Sequence, residues 1–119
     1  MEAPFCVMSS IRLLPTVTES EFFETWREYH LAMLGLPGYG GASLLRGLDT
    51  PTYLLVETYQ SAAARDDVSN ALVALTGTGQ ALWQIAWRLI QMFEVVGPPS
   101  TYETIATADP SEVSPSIGR

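Results

Sequence analysis

His30 is the first candidate for proton-transfer chemistry in this sequence, because it is the chain's single histidine. An imidazole has an ordinary pKa of about 6.5, which suits proton transfer at neutral pH. His30 follows Trp26 by four residues and so lies at the edge of the apolar side of a predicted helix. We expect it to face a pocket between helix and sheet as an acid–base group; the alternative is a half-buried histidine at a helix end.

Glu57 and Tyr59 complete the candidate catalytic set. Glu57 lies in the middle of a predicted strand, between Tyr53 and Tyr59 on one face. A carboxylate there must pair or reach water, because an unpaired buried charge is costly. Glu57 is therefore either the ion-pair partner of Arg46 or Arg12, or a general acid or base with a raised pKa.

A second group of aromatic and basic residues is predicted to bind a substrate. Tyrosine hydroxyls can donate hydrogen bonds to a carbonyl oxygen, and tryptophan rings can form the floor of a pocket for a flat aromatic molecule. Taken singly, such aromatic residues more often serve core packing, and the arginine of the group is more often a solvated or interface residue. The predicted substrate-binding residues are Trp26, Tyr29, Tyr53, Trp83, Trp87 and Arg88.

Several classes of chemistry lack the residues they need. One histidine and one cysteine, Cys6, cannot form a zinc site of the usual His/Cys kind, so no metal is expected. The chain has no lysine, which excludes a Schiff base and a P-loop lysine. The glycine-rich segment 38–41 follows a helix and precedes a strand, the reverse of a phosphate-binding loop. No cofactor is expected.

The charge balance limits the partners. The net charge is −7 and the isoelectric point is about 4.4, which argues against binding to nucleic acid or an anionic membrane. The apolar segment 81–96 is interrupted by polar residues and does not predict a membrane span. The first seven residues lack the basic start and apolar run of a secretory signal, so the expected location is the cytoplasm.

The elements that position these residues follow the order β-α-β-β-α-β. We predict strands at 5–14, 39–48, 52–59 and 92–96, and helices at 21–34 with Ser20 as N-cap, 62–75 with Ser61 as N-cap, and 80–91. This is an α+β, ferredoxin-like pattern with an antiparallel four-stranded sheet. The domain covers residues 1–100; in the tail, 101–119, residues 101–107 can add an edge strand and 108–119 are predicted to be disordered.

Two of the predicted helices carry distinct patterns. Along 21–34 the apolar residues recur at helical spacing, and the stripe consists of Phe22, Trp26, Tyr29 or His30, and Met33. Along 80–91 the polar residues form one narrow stripe, which predicts a helix buried on most of its circumference.

The runs EFFETWREYHLAMLGLPGY (21–39) and YLLVETYQSAAA (53–64) resemble the dimeric α+β barrel superfamily, most of all its antibiotic biosynthesis monooxygenase family. The resemblance covers about residues 5–97. It implies a homodimer of ferredoxin-like chains joined through their sheets, with a pocket between sheet and helices in each. Members include cofactor-free oxygenases that turn anthrones into quinones with dioxygen in aromatic polyketide synthesis. The family's E-x-W-x-S motif matches Glu57, Tyr59 and Ser61, with tyrosine replacing tryptophan, and Leu55 stands where the oxygenases have asparagine.

A sister family, the EthD-like proteins, resembles the first helix. Its W-x-x-x-H followed by L-P-G matches Trp26, His30 and residues 36–38. Related small barrels are polyketide cyclases or dehydratases, which implies an acid–base role for His30. Three hypotheses follow: a cofactor-independent monooxygenase acting on a small aromatic polyketide, a cyclase or dehydratase of the same class, and a non-catalytic, ligand-binding dimer.

Overall fold

The structure is a computed structural model that describes residues 4–108. Its elements are β1 (Phe5–Leu13), α1 (Glu19–Met33), β2 (Tyr39–Arg46), β3 (Tyr53–Tyr59), α2 (Ala62–Ala74), α3 (Ala81–Ile90), β4 (Phe93–Val95) and β5 (Ser100–Glu103). The predicted α+β, ferredoxin-like fold is confirmed. The disorder predicted for 108–119 falls almost wholly outside the described residues.

The sheet is antiparallel, with the strand order β2-β3-β1-β4. The central strand β1 pairs with β3 along most of its length. On its other side, β4 pairs with the segment Ile11 to Leu13, and β5 pairs with Phe5 to Met8. β4 and β5 therefore lie end to end along one edge of β1, and β5 occupies the start of the segment for which an edge strand is predicted.

The helices cover one face of this sheet. Alternate β1 residues Val7 and Ile11 are buried, whereas Arg12 is exposed on the other face. Two clusters of apolar side chains fill the space between the helices and the sheet. The first is built on Val7, Met33, Tyr39, Tyr59 and Val68, and the second on Ile11, Phe22 and Leu89. Within the described residues, no helix is long and apolar enough to cross a membrane.

A β-bulge in β2 changes which residues face the helices. Tyr39 lies opposite Tyr59, but the next paired residue, Gly41, lies opposite Thr58, so Gly40 is an extra residue. Gly41 has a φ of +106°, a conformation that side-chain-bearing residues rarely adopt. The bulge shifts the alternation by one position. As a result Tyr39 shares the helix-facing side with Ala42, which strict alternation would not allow.

α1 begins earlier than predicted. The N-cap is Thr18, whose hydroxyl accepts a hydrogen bond from the Glu21 amide at 3.1 Å, so the predicted N-cap Ser20 is wrong. Thr18 and Glu21 have the three-residue spacing of a capping box, and the threonine hydroxyl also donates to the Glu21 carboxylate. The other predicted N-cap, Ser61, is confirmed, since its hydroxyl accepts from the Ala64 amide at 3.0 Å.

The burial predicted for α1 agrees with the structure, whereas the burial predicted for α3 does not. In α1 the buried positions are Phe22, Thr25, His30 and Met33, while Trp26 and Tyr29 are half-buried. In α3 only Ile85 and Leu89 are buried, and Trp87 is 52% exposed, so the predicted burial around most of α3 is wrong. The reason is that α3 packs on α1 and β4 from one side.

We expect Thr18→Ala to lower the free energy of unfolding by about 1 kcal/mol, because it removes the N-cap hydroxyl of α1. Ser20 is the second residue of the helix, and Ser20→Ala serves as the matched control. It should change the free energy of unfolding by less than about 0.5 kcal/mol. Urea unfolding followed by circular dichroism measures both. A larger loss for Ser20→Ala than for Thr18→Ala would contradict the assigned helix start.

Candidate active site

His30 forms a hydrogen bond with Tyr39, and this pair is the centre of the candidate site. The imidazole Nδ1 and the phenol oxygen are 2.5 Å apart. The two rings are nearly parallel, with an interplanar angle of 14° and centroids separated by 6.1 Å. Both side chains are buried, at 8% and 6% exposure. The contact joins the last turn of α1 to the first residue of β2.

Helix spacing and the bulge together bring the two groups into contact. His30 lies on the buried side of α1, in line with Phe22 and Met33. Tyr39 reaches it because the extra residue at Gly40 turns the first residue of β2 towards the helices. Sequence reasoning missed Tyr39 because regular alternation would place Tyr39 and Ala42 on different faces of the sheet, with Tyr39 pointing away from α1.

Burial keeps both partners uncharged at neutral pH. Loss of water around the imidazole lowers the pKa of His30 to about 4. Burial and the nearby Glu57 carboxylate raise the pKa of Tyr39 well above its usual range. The bond therefore joins a neutral imidazole to a neutral phenol, and the direction in which it donates fixes the tautomer of His30.

The second imidazole nitrogen, Nε2, remains available. It has no hydrogen-bond partner among residues 4–108. In that part of the chain, Trp26 Nε1 is the one buried side-chain nitrogen or oxygen that is both closed to water and unpaired. It follows that Nε2 keeps some access to solvent.

Two further aromatic rings enclose His30. The Trp26 ring lies 4.7 Å from the imidazole between centroids, and the Tyr29 ring meets it edge-on at 4.8 Å. An unpaired buried N–H costs about 1–3 kcal/mol, so the Trp26 indole would be stabilised by any acceptor that reaches it. The predicted neighbours Trp26 and Tyr29 are thus brought to His30.

Glu57 lies on the helix-facing side of the sheet, near Tyr29, Tyr39 and Tyr59. Burial raises its pKa, and Arg65 opposes this only in part. Its predicted ion-pair partners are wrong: Arg46 binds Glu19, and Arg12 binds Glu94 at 3.1 Å. Glu57 has no hydrogen-bond or ion-pair partner among the described residues.

The carboxylate acts on its neighbours through its field. It contributes to raising the pKa values of Tyr29, Tyr39 and Tyr59, in each case after burial; for Tyr59 the value reaches about 12. Tyr59 also packs edge-on against Tyr39, with centroids 5.5 Å apart. These hydroxyls stay protonated at neutral pH and can act as hydrogen-bond donors.

A pocket of about 210 Å³ opens beside His30, between α1 and β2. Its walls are mainly apolar, and Gly41 leaves room on the strand side. The pocket is lined by Phe23, Trp26, Arg27, His30, Leu31, Leu34, Gly41 and Ala42. A flat apolar molecule in this pocket would lie close to the imidazole.

A second hollow of about 450 Å³ lies nearer the start of α1, and Phe23 lines both. Its other lining residues include Glu19, Leu44, Arg46 and Tyr53. The two adjacent hollows together are called the cleft. Tyr53 therefore lies at the far end of the cleft from His30. Its hydroxyl donates to Glu19 at 2.6 Å.

Three of the predicted substrate-binding residues lie elsewhere. Trp83 and Trp87 pack against each other on α3, with ring centroids 5.9 Å apart. Arg88 is exposed and pairs with Glu28 at 3.3 Å. None of the three lines the hollows between α1 and β2. Within residues 4–108, no three His, Cys, Asp or Glu side chains are grouped as a metal site would require.

No protein-family model matches the sequence, and no curated protein sequence matches it significantly. Solved structures do match the fold. SnoaB, a cofactor-independent oxygenase from Streptomyces nogalater, is 14% identical with a TM-score of 0.64, over 91% of this chain and 98% of that one. A mutant of SnoaB gives a TM-score of 0.66 at 12% identity, over 88% and 96%. A candidate antibiotic biosynthesis monooxygenase from Bordetella bronchiseptica is 19% identical with a TM-score of 0.61, over 90% and 100%. At such identities these likenesses show a common fold.

We expect His30 to titrate near pH 4 in an NMR titration of the folded protein, because burial disfavours the imidazolium. A single histidine gives unambiguous imidazole ¹⁵N signals. In the native protein these should report one dominant tautomer, and Tyr39→Phe should produce a mixture. Tyr59→Phe is the matched control and should keep the native tautomer. A pKa of about 6.5 or higher in the folded protein would contradict the buried, neutral imidazole.

Proposed function

We propose that this protein is a cofactor-independent monooxygenase that converts an aromatic polyketide of the anthrone or phenol type into a quinone. One observation carries the proposal: a buried, neutral imidazole, held by Tyr39 through Nδ1, lines an apolar pocket together with Phe23 and Trp26. The common fold with SnoaB, a cofactor-independent oxygenase, supports the same conclusion.

The reaction places few demands on the protein. A base removes a proton from the anthrone methylene, and the resulting carbanion passes one electron to dioxygen. The substrate radical and superoxide then combine through a new C–O bond, and the resulting peroxide anion takes the proton back from the base to give a hydroperoxide. Loss of water from the hydroperoxide leaves the quinone carbonyl, so one oxygen atom enters the product and the other leaves as water. The protein must supply a base, donors to the carbanion's oxygen and a dry site.

His30 is the base in this proposal. Its lowered pKa means that the unprotonated form dominates at neutral pH, and Tyr39 holds the ring in position. Proton transfer to Nε2 requires Nδ1 to carry the proton that Tyr39 accepts. The hydrogen bond from Nδ1 would then stabilise the positive charge that develops on the ring.

Glu57 has a supporting role. Its charge adds to the effect of burial in raising the pKa values of Tyr29 and Tyr59. A protonated phenol can donate a hydrogen bond to the oxygen on which negative charge develops. Glu57, Tyr29 and Tyr59 do not line the pocket beside His30, although Tyr29 contacts the imidazole ring and Glu57 lies directly across from Ala42, which lines it.

A cyclase or dehydratase remains the second candidate, because the same His30 can move a proton without oxygen. The buried His30–Tyr39 pair serves that reaction equally well. Oxygen consumption separates the two reactions. A non-catalytic, ligand-binding protein would bind the aromatic molecule and leave it unchanged.

We expect His30→Gln to lower the rate of oxygen uptake with 1,8-dihydroxyanthrone by about 100-fold or more, the usual contribution of a general base. Glu57→Gln should reduce it by about tenfold or less, since its role is indirect. Asp67→Asn, on the exposed side of α2, is the control and should match the native rate. An oxygen electrode and quinone absorbance measure the reaction, without added flavin or metal.

The outcomes assign the function. Native protein that consumes no oxygen with any anthrone or dihydroquinone contradicts the monooxygenase. Conversion of a polyketide without oxygen uptake indicates the cyclase or dehydratase, and binding without conversion indicates the ligand-binding protein.

We further propose that two copies associate through the sheet face that the helices leave uncovered. Apolar residues on this face include Met8 on β1, Leu54 and Val56 on β3, and Leu45 on β2, which is 49% exposed. None of them belongs to the two apolar clusters beneath the helices. An apolar sheet face is normally covered by a partner.

We expect Val56→Glu to convert the dimer into monomers, because it places a charge in the centre of this face. Val73→Glu, on α2 and 70% exposed, is the matched control and should stay dimeric. Sedimentation equilibrium measures the molecular mass of each protein. A native protein that sediments with the mass of one chain would contradict the association.

A further inference from the structure

The cleft beside α1 extends well beyond His30. Four residues of α1 follow one another along its wall at helical spacing: Glu19, Phe23, Trp26 and His30. The Phe23 and Trp26 rings are stacked, with an interplanar angle of 24° and centroids 6.4 Å apart. This arrangement suits an elongated, fused-ring ligand lying along the helix, with one end at His30 and the other at Arg46.

The far end of the cleft contains an ion pair, Arg46 and Glu19, whose two charges sum to zero. Arg46 donates from Nε to one Glu19 oxygen at 2.8 Å and from Nη2 to the other. The hydrogen bond from Arg46 lowers the pKa of Glu19 to about 2, so the carboxylate stays ionised. The positive charge of the guanidinium is therefore matched by a fixed negative charge beside it.

One guanidinium nitrogen at this end has no partner among the described residues. Arg46 Nη1 takes part in neither bond to Glu19 and has no other partner among the described residues. Tyr53 cannot serve instead, because its hydroxyl already donates to Glu19. A ligand that reaches this end meets the free N–H groups of Arg46, chiefly those of Nη1, without net positive charge and close to a carboxylate.

We propose that Arg46 forms a specificity subsite that binds an uncharged oxygen acceptor, such as an ester or ketone carbonyl, at the end of a fused-ring ligand remote from His30. This inference rests on the proposed function for the identity of the ring system. Glu19 disfavours a carboxylate at the same position, because two like charges would lie within a few ångströms. The hollow of about 450 Å³ at this end has the size of a small-molecule site.

Two anthraquinones that differ only at the distal substituent test the subsite: methyl anthraquinone-2-carboxylate and anthraquinone-2-carboxylate. Isothermal titration calorimetry gives their dissociation constants for the full-length protein at low salt. The native protein should bind the ester about three- to tenfold more tightly than the acid. Arg46→Gln should weaken binding of the ester by a similar factor.

Glu19→Gln gives the site a net positive charge and leaves Arg46 in place. The guanidinium charge is then uncompensated, and the acid should bind more tightly than the ester. Added salt should weaken this gained binding of the acid, because an exposed charge pair is screened. A merely structural role of the ion pair would change the affinity for both ligands alike.

Arg88→Gln is the matched control, since Arg88 also pairs with a glutamate on α1 but lines neither hollow of the cleft. It should leave both dissociation constants unchanged. The subsite is overturned if Arg46→Gln binds both ligands like the native protein, if the native protein prefers the acid, or if it binds neither. Ester selectivity without oxygen uptake would reject the monooxygenase and keep the subsite. Oxygen uptake by the native protein, with ligand binding unchanged in Arg46→Gln, would keep the monooxygenase and reject the subsite.

Discussion

A buried imidazole with a single hydrogen-bond partner is the constraint on which the site depends. His30 cannot be moved into water without unpacking the last turn of α1, and its bond to Tyr39 requires the first residue of β2 to point towards that helix. The β-bulge at Gly40 supplies this orientation. Helix packing, strand register and the protonation of one side chain are therefore coupled within a few residues of each other.

The electrostatics of the helix–sheet interior follow from the same burial. Among residues 4–108, burial keeps three tyrosines and one histidine uncharged there, and Glu57 is the one carboxylate whose charge acts on all three tyrosines. The interior is thus rich in hydrogen-bonding groups but poor in charge. Such a site suits reactions in which negative charge develops on a large aromatic system, because fixed neutral donors need little reorganisation.

Much of the fold was predictable, because each element carries a local pattern. Alternation and β-branched residues indicate β3, and the Ser61 cap marks the start of α2. Burial of His30 follows from its spacing after Phe22 and Trp26. The errors come from non-local causes: the shallow packing of α3 depends on the small number of elements that contact it, and no periodicity in its own residues reports that.

The site was predictable only in part, for a similar reason. His30, Trp26 and Tyr29 share one helix, so their proximity can be read from spacing. Tyr39 was missed because a bulge reverses the alternation. The role of Arg46 was missed because its partner Glu19 lies across the cleft, on the first turn of α1.

The bulge also makes the chain unequally tolerant of changes in length. The turn between β2 and β3, residues 47–52, lies at the end of the hairpin away from Tyr39, and natural variation there would leave the His30 contact intact. Removal of one glycine from the bulge would restore regular alternation and send the Tyr39 ring to the opposite side of the sheet. Related chains that keep an imidazole at this place in the helix should accordingly be compared by strand register at the bulge, and alignments that close a one-residue gap there would pair the wrong side chains.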